Sequence, residues 1–314
     1  MVLSHNPQVS RALEAAAQSS LTADLDVNRP WLRLVGFVLM AALLVTLMTI
    51  AVGIAVSGVP ALRDQLDFRP LPVGPLRLNG ESAQVLLFAA IMGGVAFGIL
   101  AAAALTYHRS LTAFLWPGRR FRAVQLGIGF VVMAGVSVLL TPVHLAMGGE
   151  WSPPLFDPAY LERTRLTYVL AMTVGLLVAA AAEEVVFRGV LLRLSALVTR
   201  RPLLLCLANG LLFSAIHLDP DPVAFVARTL SGMVWTWAAL RLGGLEFAIG
   251  AHLANNLFIA LFLSPISEAG VSRQGEWIKL GPEVVVAVIT IVFVERLARR
   301  YVDPASLLPS RSAA

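Results

Sequence analysis

Eight apolar runs, each near the length needed to cross a bilayer, dominate this 314-residue chain. They fall at roughly 34–57, 84–107, 123–146, 167–196, 202–218, 222–241, 244–264 and 282–298, the fifth being short. A hydrocarbon core about 30 Å thick needs about 20 helical residues. Apolar residues make up 58% of the chain and charged residues 14%, against about 45–50% and about 25% in soluble domains. The expected fold class is therefore all-α, a polytopic membrane helix bundle of about eight transmembrane helices. The first run lasts over twenty residues, whereas a signal-peptide core takes about 7–15, so it reads as a retained span. The organisation expected is a polar N-terminal arm at 1–30, a single membrane-embedded domain at 31–300 and a flexible tail at 301–314.

The net charge of +5 does not indicate a nucleic-acid partner. The arginines lie at the ends of apolar segments rather than in one basic stripe with aromatics, where they set topology and meet lipid headgroups. With both termini cytoplasmic, fifteen Arg/Lys fall on the inner side and seven on the outer. That bias predicts cytoplasmic termini, and the cell membrane is the expected location. The single cysteine, Cys206, lies in an apolar segment, which excludes an intrachain disulfide and a thiolate metal cluster. Trp31, Trp116, Trp151 and Trp277 fall near run ends, as interface anchors do.

Glu183 and Glu184 are adjacent inside the fourth run, after a stretch from Thr167 to Ala182 without charge. Carboxylates in hydrocarbon cost several kcal/mol by most estimates and mark working sites with partners. Glu184 and Arg188 are four apart and share a helix face, so they are expected to pair. Glu183 lies about 140° around the helix from Arg188, freer to face a substrate. Phe213 and His217 are four apart near the end of the fifth run, and His252 and Asn256 four apart in the seventh. An imidazole and a carboxamide on one face can both donate to a developing oxyanion. The same polar residues also serve elsewhere as interhelical hydrogen-bonding glue, which is the reading expected for Asn209. Arg228 is expected to snorkel, to pair with Asp219 or Asp221, or to meet a substrate carboxylate.

Glu183-Glu184-x-x-x-Arg188, Phe213-x-x-x-His217 and His252-x-x-x-Asn256, in that order, resemble the CPBP family: the CAAX proteases and bacteriocin-processing (Abi) enzymes, glutamic-type intramembrane proteases. The flanks Phe187-Arg188-Gly189 and Leu240-Arg241-Leu242-Gly243-Gly244 fit as well. The resemblance covers about 167–264. It implies an intramembrane endopeptidase acting on a membrane-associated protein or peptide. Glu183 would activate a water that His217 helps to hold, and His252 and Asn256 would form the oxyanion hole. Glu184, Arg188 and Phe213 would support the site. A metal-free site is the expectation. The alternative is zinc held by Glu183, His217 and His252, a donor set able to leave an open tetrahedral position, although no His-Glu-x-x-His is present.

Two other functions fit buried Glu and His. A proton-coupled transporter uses such chains, but paired broken helices in two halves are not visible. A non-catalytic immunity or regulatory protein would not need two oxyanion donors four residues apart. Depth poses a difficulty for any shared site: upright helices would leave His217 roughly 7–10 Å out of level with the other groups. A tilt, a kink in the fourth helix or a submerged start to the fifth is expected to remove that offset.

Overall fold

The computed structural model describes residues 7–22, 25, 28–66, 74–149, 151–264 and 276–301. Of the tail expected at 301–314, everything after Tyr301 lies outside them, as do 67–73 and 265–275 in the two longest loops. Among the described residues there are helices and no strands. In hydrocarbon a helix satisfies every backbone N–H and C=O within its own segment, which is why apolar runs of this length fold this way.

We number the helices α1 (Pro7–Ala17), α2 (Pro30–Ser57), α3 (Pro60–Leu66), α4 (Arg77–Tyr107), α5 (Leu111–Leu115), α6 (Ala123–Ala146), α7 (Glu162–Ala196), α8 (Pro202–Ala215), α9 (Pro222–Leu242), α10 (Glu246–Leu263) and α11 (Trp277–Tyr301). All eight predicted runs are helical. Seven are long and apolar enough to span a membrane: α2, α4, α6, α7, α9, α10 and α11. The chain is an integral membrane protein. The fifth run, expected to be short, is shorter still. Helix α8 has 14 residues, about 21 Å at 1.5 Å per residue, and ends in a turn where Leu218 takes a positive φ of 50°.

Helix ends follow local chemistry. Pro30, Pro202 and Pro222 each open a helix, where the missing N–H costs nothing. The Asp221 carboxylate accepts from the Val223 N–H at 2.9 Å, capping α9. Gly243, at φ 67°, closes it in the left-handed conformation glycine adopts freely.

Contacts between helix ends mark the two faces of the bundle. Arg33 at the start of α2 donates to the Thr106 carbonyl at the end of α4 at 2.6 Å. Arg119, ahead of α6, makes two hydrogen bonds to Glu246 at the start of α10, at 2.7 and 2.6 Å. Arg241 at the end of α9 is bound to Glu295 near the end of α11 at 2.9 Å. On the opposite face the Ser152 N–H donates to the Leu263 carbonyl at 2.8 Å. The expected N-terminal arm is docked onto the first of these faces. Ala16 and Leu21 are buried against Leu192, Leu205 and Ala239, and Arg193 donates to the Ser20 carbonyl at 2.8 Å.

Helix α2 buries only Phe37 and Val56 of its 28 residues, so most of its apolar surface is left for lipid. Trp31, Trp151 and Trp277 are exposed near span ends. Helix α10 lies at the centre, packed on α6, α7 and α9. Its approach to α6 requires glycine: a Cβ on Gly250 would strike the Leu126 carbonyl, and one on Gly129 the Phe247 carbonyl. Small residues let backbones approach where the hydrophobic effect supplies no attraction between helices.

Candidate active site

The local backbone is irregular where the motifs lie. Helix α7 changes to π geometry from Val185 to Leu191, immediately after the two glutamates. Helix α10 does the same from Ile259 to Leu263, three residues after Asn256. Such i→i+5 turns inside α-helices occur frequently at functional sites. The π turn in α10 is tied to α7, since the Tyr168 hydroxyl donates to the Ala260 carbonyl at 2.9 Å. The π segment of α7 falls within the fourth run, at Val185–Leu191.

The expected Glu184–Arg188 pair is present, with both side chains fully buried and Nη1 donating to Oε1 at 3.1 Å. The guanidinium also donates to the Gly232 carbonyl of α9 at 3.0 Å. Its carbon lies 4.7 Å from the Phe213 ring centre and 5.6 Å from those of Phe187 and Trp235. An aromatic cage of this kind stabilises a desolvated cation by about 2 kcal/mol or more.

Glu184 has a second partner. Nδ1–H of His252 donates to the same Oε1 at 3.0 Å, which commits that nitrogen to α7. Nε2 of His252 then lies 3.8 Å from Oε2 of Glu183, beyond a direct hydrogen bond. Among the described residues that Oε2 is buried with no hydrogen-bond partner, and Glu183 is 9% exposed. The imidazole thus sits between the two carboxylates, bonded to one and facing the other.

His217 lies just past the end of α8 and is exposed. Its Nδ1–H donates to the Phe213 carbonyl at 2.8 Å, which leaves Nε2 as an acceptor. The Phe213 ring meets both histidines edge-on, 5.1 Å from His217 and 5.9 Å from His252. Asn256 accepts from the Asn255 amide at 3.2 Å, so its own NH₂ is free to donate. Among the described residues no hydrogen bond joins His217 or Asn256 to Glu183. The structure therefore gathers Glu183, Glu184, Arg188, Phe213 and His252 into one contact network, with His217 against its Phe213 edge and Asn256 one turn along α10.

Two contributors carry no motif signature. Trp235 stacks on His252 with ring centres 4.3 Å apart and planes 26° apart. Gly232 supplies the carbonyl for Arg188, and a Cβ there would come within 2.8 Å of Gly210 Cα on α8. The available signal was their spacing in α9, three apart and on one face. Of the other polar residues, Asn209 bonds back to the Leu205 carbonyl of its own helix at 3.0 Å, not across to a neighbour. Arg228 pairs with Asp219 at 2.8 Å. Cys206 is buried in packing.

A cleft of about 830 Å³ opens between α6, α9, α10 and α11. Trp235 and Asn255 form part of its wall, and the Asp219–Arg228 pair, His144 and Glu283 line it toward the far face.

Among the described residues no group of three or more His, Cys, Asp or Glu side chains is placed to hold a metal ion. Nδ1 of His252 is committed to Glu184, which leaves Nε2 as the nitrogen facing Glu183.

The family model described as type II CAAX prenyl endopeptidase Rce1-like matches residues 165–258. The glutamate, histidine and asparagine motifs all fall inside that segment. The core is CPBP-like. The match covers less than a third of the chain. YyaK of Bacillus subtilis (strain 168), described as an uncharacterized protein, is 26% identical over 178 residues, which are 53% of this chain and 57% of that protein. The chain thus aligns with little more than half of that relative's length. No solved structure matches.

Proposed function

We propose that this protein is an intramembrane endopeptidase that hydrolyses a peptide bond of a membrane-associated protein or peptide, using water activated by Glu183. The observation that carries the reading is the unpartnered, buried Oε2 of Glu183 facing an imidazole that Glu184 holds in place. A water about 2.8 Å from both Oε2 and Nε2 fits across their 3.8 Å separation. Glu183 removes a proton from that water, and the hydroxide oxygen bonds to the scissile carbonyl carbon. Asn256 donates its NH₂ to the oxyanion. His252 joins it when Nε2 carries a proton, because Nδ1 is committed to Glu184. The tetrahedral intermediate collapses with cleavage of the C–N bond, and Glu183 returns its proton to the departing amine. His217 Nε2 accepts from water at the exposed edge of the site. Glu184 orients His252 and, with Arg188, ties α7 to α9. The substrate reaches the site from the bilayer, with both termini of the enzyme in the cytoplasm of a cell-membrane location.

The test begins by comparing terminal peptides in membranes with and without the protein. The fragment so identified is then presented to purified full-length wild type and Glu183→Gln, with folding checked by thermal unfolding. Loss of a general base predicts a fall of about 10²–10⁴-fold in kcat with unchanged unfolding. Full retained cleavage would remove Glu183 as the base, and no cleavage by wild type in any membrane fraction would overturn the peptidase reading.

A further inference from the structure

Glu184 alone does not define the orientation of His252. One hydrogen bond at Nδ1 restrains the imidazole at a single point, and small coupled changes of χ1 and χ2 that keep it would still shift Nε2 relative to Glu183. The plane is fixed by Trp235, whose ring overlaps His252 at 4.3 Å and 26°. Phe213 closes the edge at 5.9 Å and 79°. Trp235 is itself held: it is 4% exposed, meets Phe213 edge-on at 5.7 Å, and contacts the Arg188 guanidinium.

The indole also forms part of the wall of the 830 Å³ cleft, whose lining includes Trp235 and Asn255 but not His252. With the ring truncated, the imidazole would border open space on that side and would have room to rotate. Resting on the peptidase reading for its catalytic consequence, we propose that Trp235 is a positioning residue: it separates His252 from the cleft and sets the imidazole plane that aims Nε2 at Glu183. Helix α9 thereby contributes to the site twice, through the Gly232 carbonyl on Arg188 and the indole on His252.

The experiment compares Trp235→Leu and Trp235→Phe in the full-length protein, reconstituted in nanodiscs. Histidine-selective nitrogen NMR reads the imidazole directly, with His252 assigned among the five histidines by its loss in His252→Asn. Wild type and Trp235→Phe should show one fixed ring with its hydrogen on Nδ1, whereas Trp235→Leu should show an exchanging ring. Kinetics use the peptide that wild type cleaves. Trp235→Leu should lower kcat about tenfold, the size of a lost aromatic pair, with KM held within about twofold. Phe should restore most of the rate. A fixed His252 signal in Trp235→Leu, or equal changes in kcat and KM not rescued by Phe, would overturn the proposal. If wild type cleaves nothing, the peptidase reading fails, while the NMR comparison still decides whether Trp235 orients His252.

Discussion

Replacing Arg188 with methionine tests the ion pair on which the site is built. Methionine fills much of the same volume, so the change mainly removes charge. Arg188 and Glu184 are both fully buried, and removing one partner leaves the other charged in a medium of low dielectric. Breaking such a pair costs about 3–5 kcal/mol. Three features refine that range here. The Gly232 carbonyl loses its donor from Arg188, and three aromatic rings lose a cation above them. Against that, Glu184 keeps the His252 N–H at 3.0 Å, which moderates the loss, so about 3 kcal/mol is expected. The assay is equilibrium unfolding in mixed micelles, followed by helix content. The double variant Glu184→Gln/Arg188→Met, with neither charge left, should recover about 1–3 kcal/mol relative to the sum of the singles. Arg188→Met within about 1 kcal/mol of wild type, or a double variant no better than that sum, would refute the argument that the pair is desolvated and coupled.

Two further outcomes follow from the site. Asn256→Ala should lower kcat about 10²–10³-fold with little change in KM, as removal of one oxyanion donor does; equal catalysis in a cleavage time course would assign Asn256 to helix packing instead. Dialysis of the full-length protein against a zinc chelator should leave cleavage unchanged if Glu183 alone activates the water; loss of activity restored by added zinc, with metal content near one per chain, would reverse that reading.

Much of this arrangement follows from helical periodicity. Glu184 and Arg188 pair because residues four apart share a face, and the structure has them at 3.1 Å. Pro222 opens α9 and Gly243 closes it, as their side-chain chemistry requires. The expected depth offset of His217 came from counting residues along upright helices. Two features that counting misses lie where it mattered: the π segment after Glu184 and the end of α8 at Ala215. A π turn carries no distinctive residue pattern, because its cost is offset by tertiary contacts such as Tyr168 on the Ala260 carbonyl. The docking of α1 was missed as well, since the helix itself buries only Ala16.

From the order of residues alone come the membrane character, the order and approximate position of the apolar helices, and the roster of acids, imidazoles and carboxamide within them. These are properties of single helices, set by hydrocarbon thickness and by 3.6 residues per turn. The bundle decided which groups from different helices meet. His252 reaches Glu184 across 68 positions of chain, and Trp235 and Gly232 join from a helix with no recognisable motif. Such meetings depend on how far each helix is rotated and raised against its neighbours, and those two coordinates are set by packing between helices such as the Gly210–Gly232 crossing.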